Sequence, residues 1–290
     1  MSTTDKSESP HNSSGTRVNP IRLRTVAGLF VLLLVATASF AQSNQDGERT
    51  EGLIRFGFDA QDYNSGQTSR VGSIDATIRL LPRLTLETVA TGGTYFGDGF
   101  GGGGAYVTMQ PDAKTYLTIG GSRNSITRTT VVWSGFFGAG RAVYESPRGM
   151  IRGVEAGFNL TERGYALSPS TRILQLDPNV ILYLPRDWTL TLRAGAIRTS
   201  VGGANLWSPS GGAKLTVPLT RRLSISPTVA FDSELMDVLQ INNVHSRQFG
   251  AGSRFWLTKR TTVDVYYFRA LFGANHLASS VYGVSYALRF

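Results

Sequence analysis

Two histidines lie beyond residue 41, His245 and His276, and they are the first place to look for acid–base work. A histidine two residues from a serine on a strand would put base and nucleophile on one face, as acyl hydrolysis requires. Here Ser246 follows His245 directly, and Leu277, Ala278 and Ser279 follow His276, so neither spacing fits. The Asp-x-Asp and Asp-x-His pairs of a carboxylate protease do not occur. The two histidines could share a metal, but no acidic ligand spacing stands beside either. Gly97-Asp98-Gly99-Phe100-Gly101-Gly102 satisfies G-x-G-x-x-G. A β-like run follows it instead of the helix whose N-terminus would meet phosphate, so it reads as a flexible surface loop. With no cysteine, thiolate chemistry and disulfides are excluded. No catalytic, metal or cofactor site is expected, and a hydrolase ranks third among the readings.

The charged residues that share a strand face are more informative. One phase holds Arg55, Arg79, Arg193, Arg254 and Arg289, and the same phase holds Asp59, Asp75, Glu87, Glu155, Asp232 and Asp264. If that face lines a lumen, mixed signs predict salt bridges and a partly filled interior, whereas a single-sign ring would mark an ion-selective pore.

The phase comes from the strands. Ile54, Phe56, Phe58 and Ala60 alternate with Arg55, Gly57 and Asp59, and Ile74, Ala76, Ile78 and Leu80 alternate with Asp75, Thr77 and Arg79. The same period of two recurs at 154–160, 190–196, 223–232 and 249–257, and beyond Gln42 no segment keeps helical apolar spacing over a helix length. Turn-like segments punctuate the strands: Leu81-Pro82-Arg83-Leu84, Leu184-Pro185-Arg186-Asp187, Leu219-Thr220-Arg221-Arg222, Leu257-Thr258-Lys259-Arg260, and more loosely 110–114 and 145–149. Between them lie polar or glycine-rich connections expected to be longer, at 62–69, 96–103, 124–129, 161–171, 199–212, 233–246 and 273–279. Short turns alternating with long loops predict an all-β, closed, up-and-down antiparallel transmembrane barrel of about 14 strands, or 12 if one hairpin is split wrongly.

Composition agrees with a folded chain. Of 290 residues, 41% are hydrophobic and 33 are glycine. Lys+Arg number 29 against 20 Asp+Glu, for a formal net charge of +9. The basic residues are dispersed, so nucleic acid is not an expected partner. Near the start, Arg22 and Arg24 precede the apolar run Val26–Ala38, which ends Ser39-Phe40-Ala41. That run is short for a spanning helix and fits a signal peptide cleaved near Ala41. The expected layout is therefore 1–41 signal peptide, 42–50 a short periplasmic segment too small for a plug, and 51–290 the barrel.

At the other end Tyr282, Val284, Tyr286, Leu288 and Phe290 are apolar at every second position. Tyr116, Tyr144, Tyr183, Trp188, Phe255, Trp256 and Phe290 lie beside the short turns, where an interfacial girdle is expected. The signal peptide, the paired strands and the ending Ser285-Tyr-Ala-Leu-Arg-Phe290 resemble a Gram-negative outer-membrane β-barrel. Within that class the first hairpin, Phe58-Asp-Ala-Gln-Asp-Tyr63, and the closing region from Ser246-Arg-Gln-Phe-Gly250 are similar to the YaiO-like outer-membrane proteins. The resemblance implies outer-membrane lipids and the barrel assembly machinery as partners, with the terminal strand as assembly signal. It also implies a link to envelope glycan without any catalytic residue. The functional expectation is a non-enzymatic accessory or scaffold for envelope polysaccharide handling. The alternative is a passive pore for small hydrophilic solutes.

Overall fold

The computed structural model describes residues 52–95, 97–126, 130–166, 171–231, 246–272 and 277–290. Fourteen strands follow one another. They are β1 (Gly52–Tyr63), β2 (Thr68–Leu81), β3 (Leu84–Tyr95), β4 (Asp98–Met109), β5 (Thr115–Ile126), β6 (Thr130–Glu145) and β7 (Gly153–Tyr165). Then come β8 (Thr171–Tyr183), β9 (Thr189–Val201), β10 (Ala204–Thr220), β11 (Leu223–Phe231), β12 (Ser246–Trp256), β13 (Thr261–Phe272) and β14 (Leu277–Arg289). Each pairs antiparallel with its neighbours in sequence, and β1 pairs with β14 to close the ring. The count is 14, so the 12-strand layout is set aside. No helix among the described residues is long and apolar enough to cross a membrane.

Closure makes the seam the one strand pair without a hairpin. Its register runs from Leu53 opposite Arg289 to Tyr63 opposite Ser279. Gly52 and Phe290 exchange two backbone hydrogen bonds, of 2.9 and 3.0 Å, at the terminal end of the seam. The Phe290 ring occupies the space a side chain at position 52 would need.

The turns at the end of the barrel that holds the termini explain the repeated Thr-Arg and Pro-Asp signals. Thr258 Oγ1 accepts from the backbone N–H of Arg260 and of Thr261, both at 3.1 Å, and Thr220 Oγ1 accepts from that of Arg222 at 3.1 Å. Asp112 accepts from the backbone N–H of Lys114 at 2.7 Å and from the Thr115 hydroxyl at 3.1 Å. Short polar side chains thus satisfy turn donors that the ladder leaves open. The Lys114 hydrogen bond, first among several, holds the Asp112 carboxyl below the usual carboxylate range.

The expected contrast between short turns and long loops does not hold for the described connections. Residues 68–69 belong to β2, 98–103 to β4 and 204–212 to β10. The β9–β10 connection is only Gly202–Gly203, both at positive φ (57° and 91°), a conformation that glycine adopts freely. The segment Gly97–Gly102 is likewise no surface loop: Gly97 turns the chain and the rest is strand. The physical reason is that glycine and serine, which read as loop residues, here belong to a strand. A side chain at Gly102 would collide with Asn124 on β5. The segments 233–245 and 273–276 lie outside the described residues, as do the proposed signal peptide and residues 42–50.

Candidate functional site

Burial along each strand separates the two faces of the wall. On β1, Phe56 and Phe58 are half-exposed, while Asp59, Gln61 and Tyr63 are buried. On β14, Tyr282, Val284, Tyr286 and Leu288 are exposed, as is Phe290 just beyond the strand, while Ser285 and Ala287 are buried. Ile119 on β5 is 65% exposed beside Thr118 at 4%. Large apolar groups therefore cover the outside and polar groups face the inside, the reverse of a water-soluble core.

The inner face carries the charges. The Arg254 guanidinium grips Asp264 with two bonds, Nε to Oδ1 at 2.6 Å and a second nitrogen to Oδ2 at 3.0 Å. Arg55 stands directly opposite Asp75 in the ladder, and Glu87 follows opposite Thr77. Arg193 reaches Asp177 at 3.4 Å. Asp59 accepts from the Tyr266 hydroxyl across the seam. Tyr266, Gly283 and Asp59 lie in one row over β13, β14 and β1, and the bare glycine lets the ring cross. Glu155 is reached by Tyr183 at 3.1 Å and by Tyr116, whose ring lies over Gly140. Arg289 shares the inner phase at the end of β14, opposite Leu53. Arg79 has the same phase but is exposed at the rim, where it donates to the Pro82 carbonyl of the β2–β3 turn. Asp232, like His245 and His276, lies outside the described residues, and Ser246 is buried at 1% exposure.

Several inner-wall groups escaped the sequence reading. Asp177 and Lys214 sit on β8 and β10, the latter in a strand whose first half has loop-like composition. Arg163 is 3% exposed beside the exposed-face Glu162. The signal was available for Lys214, which follows Gly212 in the inner phase opposite Thr191 and Thr228. Tyr116 and Tyr183 do not belong to an interfacial girdle. Their phase turns them inward onto Glu155, whereas Tyr144, Trp188 and Phe255 are exposed. Proximity to a turn does not fix which face a residue takes; the period of two does.

Toward the end away from the termini the inner wall changes character. Val71, Val132, Tyr165, Ile173 and Ile197 are all under 5% exposed, and Tyr63 is buried beside them. These six lie on β1, β2 and β6 to β9, among hydroxyls and amides such as the Gln61–Ser279 bond of 3.0 Å. Charged groups reach into this buried part of the inner wall as well, since Arg163 stands opposite Ile173 and Asp59 opposite Val71.

Solved structures share this architecture. The chain is similar to the Pseudomonas putida toluene transporter TodX, with a TM-score of 0.54, 8% identity and coverage of 88% of this chain and 92% of that one. The chain has the fold of an outer-membrane β-barrel. A bacterial polysaccharide outer membrane secretin also matches, with a TM-score of 0.52, 9% identity, and coverage of 84% of this chain and 99% of that one. No family model matches the chain, and no curated protein is similar to it in sequence.

Proposed function

We propose that this barrel is a non-enzymatic passage across the outer membrane for small hydrophilic solutes. The supporting observation is the inner wall, where Arg193 pairs with Asp177 and Arg254 with Asp264 across neighbouring strands, and hydroxyls such as Thr108, Thr118, Ser122 and Ser134 also face inward. Fourteen strands enclose more space than the ~8-strand barrels that side chains alone can fill. In this reading the buried inward side chains toward the end away from the termini, Ile173 and Ile197 among them, narrow that space and make the passage restrictive. In this reading the chain is exported by a signal peptide cleaved near Ala41. Both termini face the periplasm, and the assembly machinery takes up β14 through Tyr282, Val284, Tyr286, Leu288 and Phe290.

Planar-bilayer recording on the purified barrel tests the passage. Small discrete conductance steps with weak ion selectivity are expected, and larger steps when Ile173 and Ile197 are both replaced by alanine. A folded barrel that stays electrically silent, including with both replacements, removes this reading.

A second reading is an accessory role in envelope polysaccharide handling, as the likeness to YaiO-like proteins implies. It draws on the inner-wall rings, with Tyr106 edge-on to Phe136 at 6.1 Å and Tyr266 tilted to Phe268 at 5.6 Å. Aromatic faces beside hydroxyls suit sugar rings. Unchanged surface polysaccharide in a deletion strain would count against it.

A further inference from the structure

Arginines on the outer wall gather near the end away from the termini, while Arg141 stands near the other end. Arg123 on β5, Arg172 on β8, Arg198 on β9, Arg247 on β12 and Arg269 on β13 all take the outward phase, each within four residues of that end of its strand. Arg70 on β2 joins them, but Asp62 holds it at 2.8 Å. None of the other five is paired with a carboxylate among the described residues.

The register assembles one part of this set into a patch. Arg123 stands opposite Trp133, Trp133 opposite Gly164, and Gly164 opposite Arg172, in one row over β5 to β8. The Trp133 indole covers the bare Gly164, so the ring lies between the two guanidinium-bearing strands. Arg172 faces Ser200, two residues along β9 from Arg198, which makes the two arginines diagonal neighbours. Arg198 lies 5.8 Å from the ring centre of Trp207, its opposite number on β10. Glu162, opposite Leu174, is the one outward acid in that half of β5 to β10 among the described residues, and it makes no salt bridge to Arg172.

Three cations and two indoles on a lipid-facing wall have a definite physical requirement. A guanidinium cannot rest against hydrocarbon, but at the level of the headgroups it meets anionic oxygen, and indoles favour the same level. Guanidinium groups present paired donors that match phosphate oxygens. We infer that Arg123, Arg172 and Arg198, flanked by Trp133 and Trp207, form a docking site on the outer wall for a phosphorylated lipid headgroup of the membrane leaflet. The diagonal pair Arg172 and Arg198 grips one phosphate, Arg123 reaches a second, and the acyl chains lie along the apolar wall below. That the leaflet is the outer one rests on the proposed placement of both termini in the periplasm.

The test uses the full-length barrel in nanodiscs of phosphatidylcholine with ten mole per cent bis-phosphorylated lipid A, transferred to detergent and weighed by native mass spectrometry. The wild type is expected to retain lipid A. Arg172→Ala with Arg198→Ala should weaken retention at least ten-fold, while Arg141→Ala, near the other end of the wall, should leave it unchanged. Equal retention by the double variant overturns the site, and displacement of lipid A by millimolar inorganic phosphate overturns a lipid occupant. Heat-modifiable gel mobility verifies that the double variant is folded. If it is not, Arg172→Lys with Arg198→Lys takes its place, with weakened retention expected and equal retention counting against the site. The leaflet is decided separately. Ser65→Cys, in a chain with no other thiol, should react on intact cells with a membrane-impermeant maleimide. Reaction only after lysis would overturn the outer-leaflet assignment while leaving the lipid site to the mass measurement.

Discussion

Arg193 and Arg254 project from the same sheet as Arg172 and Arg198, but from its other side, and their surroundings differ completely. The inward pair reaches Asp177 and Asp264 at 3.4 and 2.6 Å, and the outward pair makes no salt bridge among the described residues. One wall thus handles one residue type in two ways. Inside, Arg193 and Arg254 are neutralised by the protein itself, because the enclosed space weakens screening and an unpaired charge is costly. Outside, toward one end, Arg172 and Arg198 are left to whatever the membrane supplies, whereas Arg70 is held by Asp62. The difference shows that charge balance in this barrel is local to each face, and a net charge of +9 says little about either.

The largest expected effect comes from placing a cation where neither solution is available. Ile119→Arg puts a guanidinium at mid-height on the apolar outside and should cost about 2–4 kcal/mol. Ser226→Arg, at mid-height on the inner face, should stay within about 1 kcal/mol. Urea unfolding in lipid vesicles measures both, and equal costs would break the comparison between the faces. Next in size, Asp264→Ala leaves Arg254 without its partner. A loss of about 1–3 kcal/mol is expected, between the limits for exposed and buried pairs. Reversal potentials should shift toward anion preference, and an unshifted potential would place this pair outside the conducting path. A smaller effect is expected from Tyr266→Phe, which removes the hydroxyl bonded to Asp59 across Gly283 and should lose about 1 kcal/mol of stability.

The smallest effect concerns the rim. The folded-state pKa of Asp112 lies below its unfolded value, so its bonds to Lys114 and Thr115 stabilise the turn above the ordinary carboxylate range and are lost as pH falls through the folded value. Asp112→Ala should therefore unfold slightly earlier than the wild type at pH 7 and together with it near pH 2. A gap that persists in acid would mean the side chain acts by packing.

Much of the wall was legible in the sequence because Phe56 and Phe58, or Tyr286 and Leu288, alternate with residues that lipid would reject. That alternation carried the phase of Arg55, Asp75, Arg254 and Asp264, and the spacing of the turn signals carried the strand count. Connections were not legible, since Gly102 and Ser210 have loop-like composition but line the inside of β4 and β10. Partners were not legible either. Arg193 meets Asp177 only through the register of β8 against β9, which no single strand encodes. Tyr116 and Tyr183 lie beside turns yet face inward, because distance from a turn is a weaker signal than parity.

The seam between β1 and β14 has a consequence for how this chain fails. Every other strand pair is tied by a connecting segment and re-forms locally, whereas the seam joins residues separated by nearly the whole barrel sequence, as Leu53 is from Arg289. If it parts, two long strands present open rows of backbone donors and acceptors, the template on which separate chains pair edge to edge. The Gly52–Phe290 clasp and the Tyr266 bridge to Asp59 both span that line. Loosening either should therefore appear first as intermolecular association of assembly intermediates and only later as lost secondary structure.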